Sequence, residues 1–277
     1  MKALVVGGDI RMELAGRLLQ EDGWQTDLIR SERDTFWQDK VKCADVILLP
    51  YPYAVKDDAV PGWNGGGVEE ILTQAVPGTV VIAGSGLEHM ANSVSAGSEA
   101  IRLMRYTEAP DFAARNAEIS AEAAVSEVMQ RSKRTLDEQQ VLVMGYGMFA
   151  KAICWRLAAL GARVWVAARR EQQRRQAASE GMHAVALEAV GRVASRMDVV
   201  INTIPMVLIG RDQLEKFPDH TLFLELASPP YGINLPAAAE LEKDVAVLPG
   251  LPSQYAPLSA AKALASAVRE LVKEERV

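Results

Sequence analysis

The stretch over residues 141–170 constrains the fold more than any other part of the sequence. Its first four residues, 141–144, form the short apolar run typical of a fully buried parallel strand, and the hexapeptide GYGMFA follows at once. Apolar residues then recur at helical spacing as far as Gly161, and a second buried run covers residues 164–168. A strand, a glycine turn, a helix and a strand within about 30 residues predict a dinucleotide-binding unit.

The small residues of this GxGxxA turn have separate predicted tasks. Gly145 allows the tight turn, Gly147 lets the backbone approach a pyrophosphate at the helix N-terminus, and Ala150 permits close packing of helix on strand. The cofactor contacts predicted for the turn are Gly145, Tyr146, Gly147, Met148 and Phe149.

The end of the second strand indicates which dinucleotide binds. An NAD site usually has Asp or Glu there, whereas this chain has Ala168, Arg169 and Arg170. Arginine offers a planar, permanently charged fork to phosphate oxygens, so these three residues predict a contact with the 2′-phosphate of NADP. The alternative is an ordinary solvated start of a basic helix, because Arg174 and Arg175 follow.

Composition excludes several classes of protein. The chain has 277 residues, of which 49% are hydrophobic, and a net charge of −6, which argues against a general nucleic-acid binder. No apolar run is long enough for a membrane span, and the first residues enter a strand without a secretory signal, so we expect a cytoplasmic protein. Cys43 and Cys154 have no CxxC partner, so we expect neither a disulfide nor a metal site.

Apolar runs alternate with helical patterns along the whole chain and predict an α/β protein with two parallel-sheet domains. We expect a flavodoxin-like domain over residues 1–115, completed by a returning C-terminal helix over 257–277. A connecting helix over 116–134 leads to a Rossmann domain over 135–256. Residues 51–67, rich in Pro, Gly and aromatics, are predicted as a long surface loop.

Ligands of parallel sheets gather at the carboxyl ends of strands, and this rule nominates further residues. The segment INTIP ends a strand, and it predicts contacts with the nicotinamide half of the cofactor at Asn202, Thr203, Ile204 and Pro205. Leu226 and Ala227, at the end of the next strand, are also expected to contact the cofactor. In the first domain the rule nominates the turns at residues 7–11, 50–53 and 84–86.

With these landmarks in order, the chain resembles the family of the A-type subunit of dipicolinate synthase, the enzyme of spore-forming bacteria that makes pyridine-2,6-dicarboxylate. The resemblance covers nearly the whole length. It rests on GGDIR at residues 7–11, GYGMFA with Ala168-Arg169, INTIP at 201–205, ELASPPYG at 225–232 and LPGLPSQYAP at 248–257. The last three are specific, because a generic dinucleotide fold does not require them.

The resemblance implies an activity, a cofactor and a partner. The activity is oxidation of a dihydrodipicolinate, formed from 4-hydroxy-tetrahydrodipicolinate, with NADP as hydride acceptor. The flavoprotein-like B-type subunit of dipicolinate synthase is the expected partner, and we also expect a homo-oligomer. Contacts with the small dicarboxylate substrate are expected at Arg11, Ser85, Gly86, Asn116, Ser120 and Ser228.

Two departures from the family pattern fall where substrate contacts are expected. Pro229 stands where the family has an arginine, and the pattern Asn-x-Ile-Pro-Thr-x-Glu is present only in part, at residues 116–122. Ser120 could equally be a polar residue of a helix start. None of the three histidines, at positions 89, 183 and 220, is an evident base, so no catalytic residue is assigned.

Two other functions remain open. Two-domain 2-hydroxyacid dehydrogenases share this layout, but they use an Arg, an acid and a His in the dinucleotide domain. Here Ser228-Pro229 occupies the arginine neighbourhood, and no His follows Pro249-Gly250. A non-catalytic NADP-binding regulatory subunit is the other alternative.

Overall fold

The structure, a computed structural model, describes residues 1–30, 34, 36–51, 58–84 and 101–274. The chain divides into two compact units. The first unit is Met1–Asn116 together with Pro252–Val277, and the second unit is Ala117–Leu251. The division predicted from the sequence, with a separate connector over residues 116–134, stays a prediction.

The described strands and helices follow one another in an alternating order typical of α/β proteins. The strands are β1 Lys2–Val6, β2 Gln25–Ile29, β3 Val46–Leu48, β4 Ala59–Val60, β5 Trp63–Gly67, β6 Val80–Ala83, β7 Arg102–Arg105, β8 Gln140–Met144, β9 Arg163–Ala167, β10 His183–Val185, β11 Val199–Asn202, β12 Leu222–Glu225 and β13 Asp244–Val247. The helices are α1 Ile10–Glu21, α2 Trp37–Lys42, α3 Val68–Gln74, α4 Phe112–Arg131, α5 Met148–Ala159, α6 Glu171–Ser179, α7 Arg211–Leu214, α8 Leu235–Glu240, α9 Leu251–Tyr255 and α10 Pro257–Glu274.

The first unit contains a five-stranded sheet in which every pairing is parallel. Its strand order is β2-β1-β3-β6-β7, the flavodoxin-like order predicted from the sequence. The order reverses between β1 and β3, so the turn after β1 and the chain after β3 lie side by side at the carboxyl edge.

The C-terminal helix α10 returns to the first unit and packs on α1. Its apolar face is buried, since Leu264, Val268, Leu271 and Val272 are each at most 4% exposed. This confirms the predicted return of the C-terminal helix, and it makes the first unit discontinuous in sequence.

The prediction of a surface loop over residues 51–67 is wrong for its second half. There β4 and β5 form a small antiparallel hairpin; residues 52–57 lie outside the described part of the chain. Trp63 is 2% exposed and packs edge-on against Trp37, with ring centroids 5.2 Å apart. Close packing of side chains requires glycine in β5: a Cβ on Gly65 would lie 2.6 Å from the Trp63 indole nitrogen.

The second unit contains a six-stranded parallel sheet with the order β10-β9-β8-β11-β12-β13, which is the Rossmann order. Alternate residues of each strand enter different cores. Val141 and Val143 of β8 pack with the core that includes Ile153 and Leu157 of α5, whereas Leu142 packs with a separate core on the opposite face. Burial on both faces explains why these strands are continuous apolar runs in the sequence.

Candidate functional site

The glycine turn lies where the order of the second sheet reverses, between β8 and β11. Ligands of open α/β sheets bind at this switch point. Gly145 has a φ of +102°, which a residue with a side chain rarely adopts, and its amide donates to the Ala167 carbonyl at 2.9 Å. An added Cβ there would lie 2.5 Å from the Thr203 hydroxyl oxygen. Gly145 is therefore required by the turn itself.

Gly147 has a different explanation. It is the N-cap residue of α5 and has an ordinary φ of −82°. A Cβ on this glycine would meet no heavy atom of the described residues within 4 Å, so the packing of the protein does not demand a glycine. No described side chain caps the helix, so its first amide groups are available to an anion. Open space in front of uncapped amides fits the diphosphate of a dinucleotide.

A cavity of about 560 Å³ opens beside this turn. It brings together most of the residues predicted to bind the cofactor: Gly145, Tyr146, Gly147, Met148, Phe149, Ala168, Arg169, Arg170, Thr203, Ile204 and Pro205. Four other residues also line it: Ala150, Gln173, Leu187 and Met206. Leu187 lies two residues beyond the end of β10, so the strand-end rule applied to that strand would have found it.

The electrostatics of the cavity are one-sided. Arg169 and Arg170 are exposed at its rim, and within the described part of the chain neither guanidinium has a hydrogen-bond or ion-pair partner. The described lining contains no carboxylate. Arg174, by contrast, is committed to the backbone, because its guanidinium donates to the carbonyl oxygens of Ala168 at 2.8 Å and Arg169 at 2.6 Å. The rim therefore offers two uncompensated cations to an anion.

Tyr146 belongs to the cavity lining, and its side chain also packs in the core of the second unit. The side chain is buried, and its hydroxyl donates to Glu180 Oε2 at 2.6 Å. Burial, with the bond to this carboxylate, raises the pKa of Tyr146. The hydrogen bonds donated by Tyr146 and Trp155 lower the pKa of Glu180. The carboxylate is thus held ionised as the acceptor of both.

Asn202 is placed differently from the other residues of INTIP. It is fully buried and is not part of the cavity lining; its side-chain nitrogen donates to Glu225 Oε1 at 2.6 Å and to the Ile204 carbonyl at 3.0 Å. The fully buried Glu225 also accepts from the backbone amides of Ala227, Gly232 and Ile233, at 2.9–3.0 Å. A buried carboxylate with four donors fixes the loop after β12 to the end of β11.

This network shows how the two specific motifs INTIP and ELASPPYG depend on each other. A Cβ on Gly232 would lie 2.3 Å from the Asn202 side-chain nitrogen, so the motif glycine leaves room for the motif asparagine. Leu226 and Ala227 are half-buried, Ser228 is exposed, and none of the three belongs to the cavity lining.

Arg11 spans the switch point of the first unit. It is 3% exposed, and its Nη2 donates to Asp9 Oδ2 at 2.6 Å and to the Tyr51 carbonyl at 2.8 Å. Burial acts to raise the pKa of Asp9, but the hydrogen bonds and charge of Arg11, with a hydrogen bond from Ser253, outweigh it and lower that pKa. GGDIR and LPGLPSQYAP therefore meet at Asp9.

The remaining predicted substrate contacts lie on α4 or outside the described residues. Asn116 and Ser120 lie one turn apart on α4; Asn116 is half-buried and Ser120 is 9% exposed. Ser85, Gly86 and His89 are outside the described part of the chain.

Comparison with known proteins finds similarity to a dehydrogenase domain and to the A-type subunit of dipicolinate synthase. Residues 101–228 match the sequence family described as D-isomer specific 2-hydroxyacid dehydrogenase, NAD binding domain. The A-type subunit of dipicolinate synthase from Bacillus subtilis (strain 168) is 28% identical over 288 aligned residues, which cover 99% of this chain and 96% of that protein.

Solved structures agree with the sequence relatives. The A chain of dipicolinate synthase from Bacillus subtilis superposes with a TM-score of 0.83 at 25% identity, covering 100% of this chain and 97% of that one. Its counterpart from Bacillus halodurans gives a TM-score of 0.82 at 24% identity, covering 98% and 97%. The predicted resemblance is therefore confirmed. Together these findings support a dehydrogenase-type subunit that uses a nicotinamide dinucleotide.

Within the described residues, no helix is both long and apolar enough to cross a membrane.

Proposed function

Because this chain resembles the A-type subunit of dipicolinate synthase along its whole length, we propose that it oxidises a dihydrodipicolinate to dipicolinate with NADP. The dihydro compound forms from 4-hydroxy-tetrahydrodipicolinate. A cytoplasmic location, a homo-oligomeric state and partnership with the flavoprotein-like B-type subunit of that enzyme are parts of the same proposal.

The observation that carries the choice of NADP is the pair of free guanidiniums at the cavity rim. β9 ends at Ala167, and Arg169 and Arg170 follow after Ala168. The described lining holds no carboxylate that could accept hydrogen bonds from ribose hydroxyls. A 2′-phosphate offers the charge and the acceptor oxygens that such cations bind. The alternative, in which these arginines are only the solvated start of a basic helix, is less favoured because both of them line the cavity.

The protein's part in the reaction is mainly to bind and orient. When bound, the oxidised dinucleotide supplies a hydride acceptor, and loss of a proton from the substrate completes an aromatic ring. Aromatisation supplies much of the driving force, so no strong base is demanded. The α5 amides hold the diphosphate, and Thr203 to Pro205 line the same cavity.

Substrate contacts at Arg11, Ser85, Gly86, Asn116, Ser120 and Ser228 belong to this proposal. The structure adds one feature: the charge of Arg11 is balanced by Asp9, whose side chain is 39% exposed. We therefore propose that Arg11 serves the substrate mainly by holding the turn after β1, rather than as a free cation.

The purified chain with NADP and freshly generated 4-hydroxy-tetrahydrodipicolinate tests the proposal, with and without the B-type subunit. Dipicolinate absorbance appearing in step with NADPH supports it. Cofactor binding without turnover, even when both proteins are present, would instead identify a non-catalytic regulatory subunit.

A 2-hydroxyacid dehydrogenase is the second candidate, because the family match over residues 101–228 covers this class. A set of 2-oxo acids tested with NADH and NADPH separates the two. Reduction of any of them at a rate above that of the dihydropyridine reaction would favour this candidate.

A further inference from the structure

A group of side chains joins the glycine turn to α5 and α6, and of these residues only Tyr146 also lines the cavity. Glu180, the C-cap residue of α6, accepts the Tyr146 hydroxyl at 2.6 Å and the Trp155 indole nitrogen at 2.6 Å on the same oxygen, Oε2. Its other oxygen accepts from Gln176 at 2.9 Å. We call Tyr146, Trp155, Gln176 and Glu180 the turn clamp. It joins the turn, α5 and α6.

Helix α6 also donates hydrogen bonds to main-chain carbonyls of the glycine turn and of the residues after β9. Gln173 of α6 donates to the Tyr146 carbonyl at 3.3 Å, and Arg174 donates to the carbonyls of Ala168 and Arg169. Lys151 of α5 donates to Gln176 at 2.9 Å and lies 5.3 Å from the Tyr146 ring centroid. Helix α6 therefore holds both the glycine turn and the end of β9 through hydrogen bonds to their main chain.

From these contacts we infer that Glu180 is a positioning residue for the dinucleotide, acting through Tyr146. The inference rests on the proposed dinucleotide site and deepens it. The Tyr146 ring is 2% exposed, and its hydroxyl donates to a charged acceptor, so packing and this hydrogen bond both oppose rotation of the residue between Gly145 and Gly147. Its backbone then keeps the amides at the α5 N-terminus aimed at the diphosphate.

This role predicts a signature that a direct cofactor contact does not have. The diphosphate is common to NAD and NADP, so loosening the turn weakens both by the same factor. The ratio of the two affinities stays constant. Changes at Arg169 and Arg170 alter that ratio instead, because only NADP carries the 2′-phosphate.

The test compares Tyr146→Phe, Glu180→Gln and the double variant with the matched control Glu171→Gln. Glu171 also belongs to α6, but it pairs with Arg175 at the surface. Dissociation constants for NADPH and NADH are measured by fluorescence titration, and circular dichroism verifies the fold of each variant. We expect each single variant to bind both cofactors about fivefold more weakly, with a double variant no weaker than about the worse single one. The control keeps wild-type affinity.

Each outcome has one meaning. Wild-type affinity in folded Tyr146→Phe overturns the inference, as do additive losses in the double variant or a changed NADPH to NADH ratio. If Glu180→Gln fails to fold, Tyr146→Phe alone decides, because it keeps the buried ring. A wild-type protein that binds neither cofactor refutes the proposed function itself, which is a different result.

Discussion

At the scale of single residues, Gly145 is needed for the fold of the turn, whereas we expect Gly147 to be needed for the binding of the dinucleotide. The first has a positive φ and no room for a Cβ, whereas the second has an ordinary φ and open space before it. We expect Gly145→Ala to lower the free energy of unfolding by about 2 kcal/mol or more. Gly147→Ala should change it by less than about 1 kcal/mol and weaken dinucleotide binding at least about tenfold, because the methyl group occupies the place of the diphosphate. Urea unfolding and cofactor titration measure both; unchanged affinity in Gly147→Ala would contradict the diphosphate position.

The arginines at the end of β9 give a second prediction for single residues. Changing both Arg169 and Arg170 to Ala removes the two free cations of the rim. We expect the affinity for NADP to fall about tenfold or more, and that for NAD to change less than about threefold. Arg175→Ala is the matched control, since Arg175 is equally basic and exposed but pairs with Glu171 outside the lining. Equal losses for NAD and NADP would remove the argument for NADP.

At the scale of elements, the turn between β1 and α1 should respond to pH. The pKa of Asp9 in the folded protein is lower than its ordinary value of 3.8, because the bonds from Arg11 outweigh the effect of burial. Its contribution to stability is therefore complete above 3.8 and is lost as the pH falls from there through the lowered pKa. Unfolding by urea at a series of acid pH values measures this loss. Asp9→Asn should be less stable at neutral pH, with Arg11 left buried and unpaired, and should lack this part of the acid dependence. Parallel pH profiles for the two proteins would refute it.

The elements that were predictable are those whose own residues decide their structure. Strands β8 and β9 are buried on both faces, so each is an apolar run that needs no partner to be recognised. The hairpin of β4 and β5 was missed because Trp63 is buried through contact with Trp37, which is remote in sequence. The interior position of Asn202 was hidden for a similar reason: its partner Glu225 is 23 residues away and is brought alongside only by the pairing of β11 with β12.

For the whole molecule, the two strand orders were predictable because parallel strands joined by helices admit few arrangements. The sequence also placed the glycine turn at a strand end, and the reversal of strand order between β8 and β11 made it a site. The turn clamp was not predictable. Glu180 is an ordinary polar residue at the end of a polar helix, and only the packing of α6 beside α5 gives it the Tyr146 hydroxyl and Trp155.

The discontinuous first unit leads to a prediction for the molecule as a whole. Its core needs both ends of the chain, because α10 packs on α1 and Val268 is fully buried there. Val268→Ala should lower the stability of the first unit by about 2 kcal/mol, whereas Lys262→Ala, at an exposed position on the same helix, should change it by less than about 0.5 kcal/mol. Hydrogen exchange with mass spectrometry resolves the two units: exchange should accelerate in α1 and α10 and stay unchanged in β8 and α5. Since the glycine turn draws its contacts from the second unit, NADP affinity should persist in Val268→Ala. Equal acceleration in both units would show that they unfold together, and the chain would then be one cooperative structure.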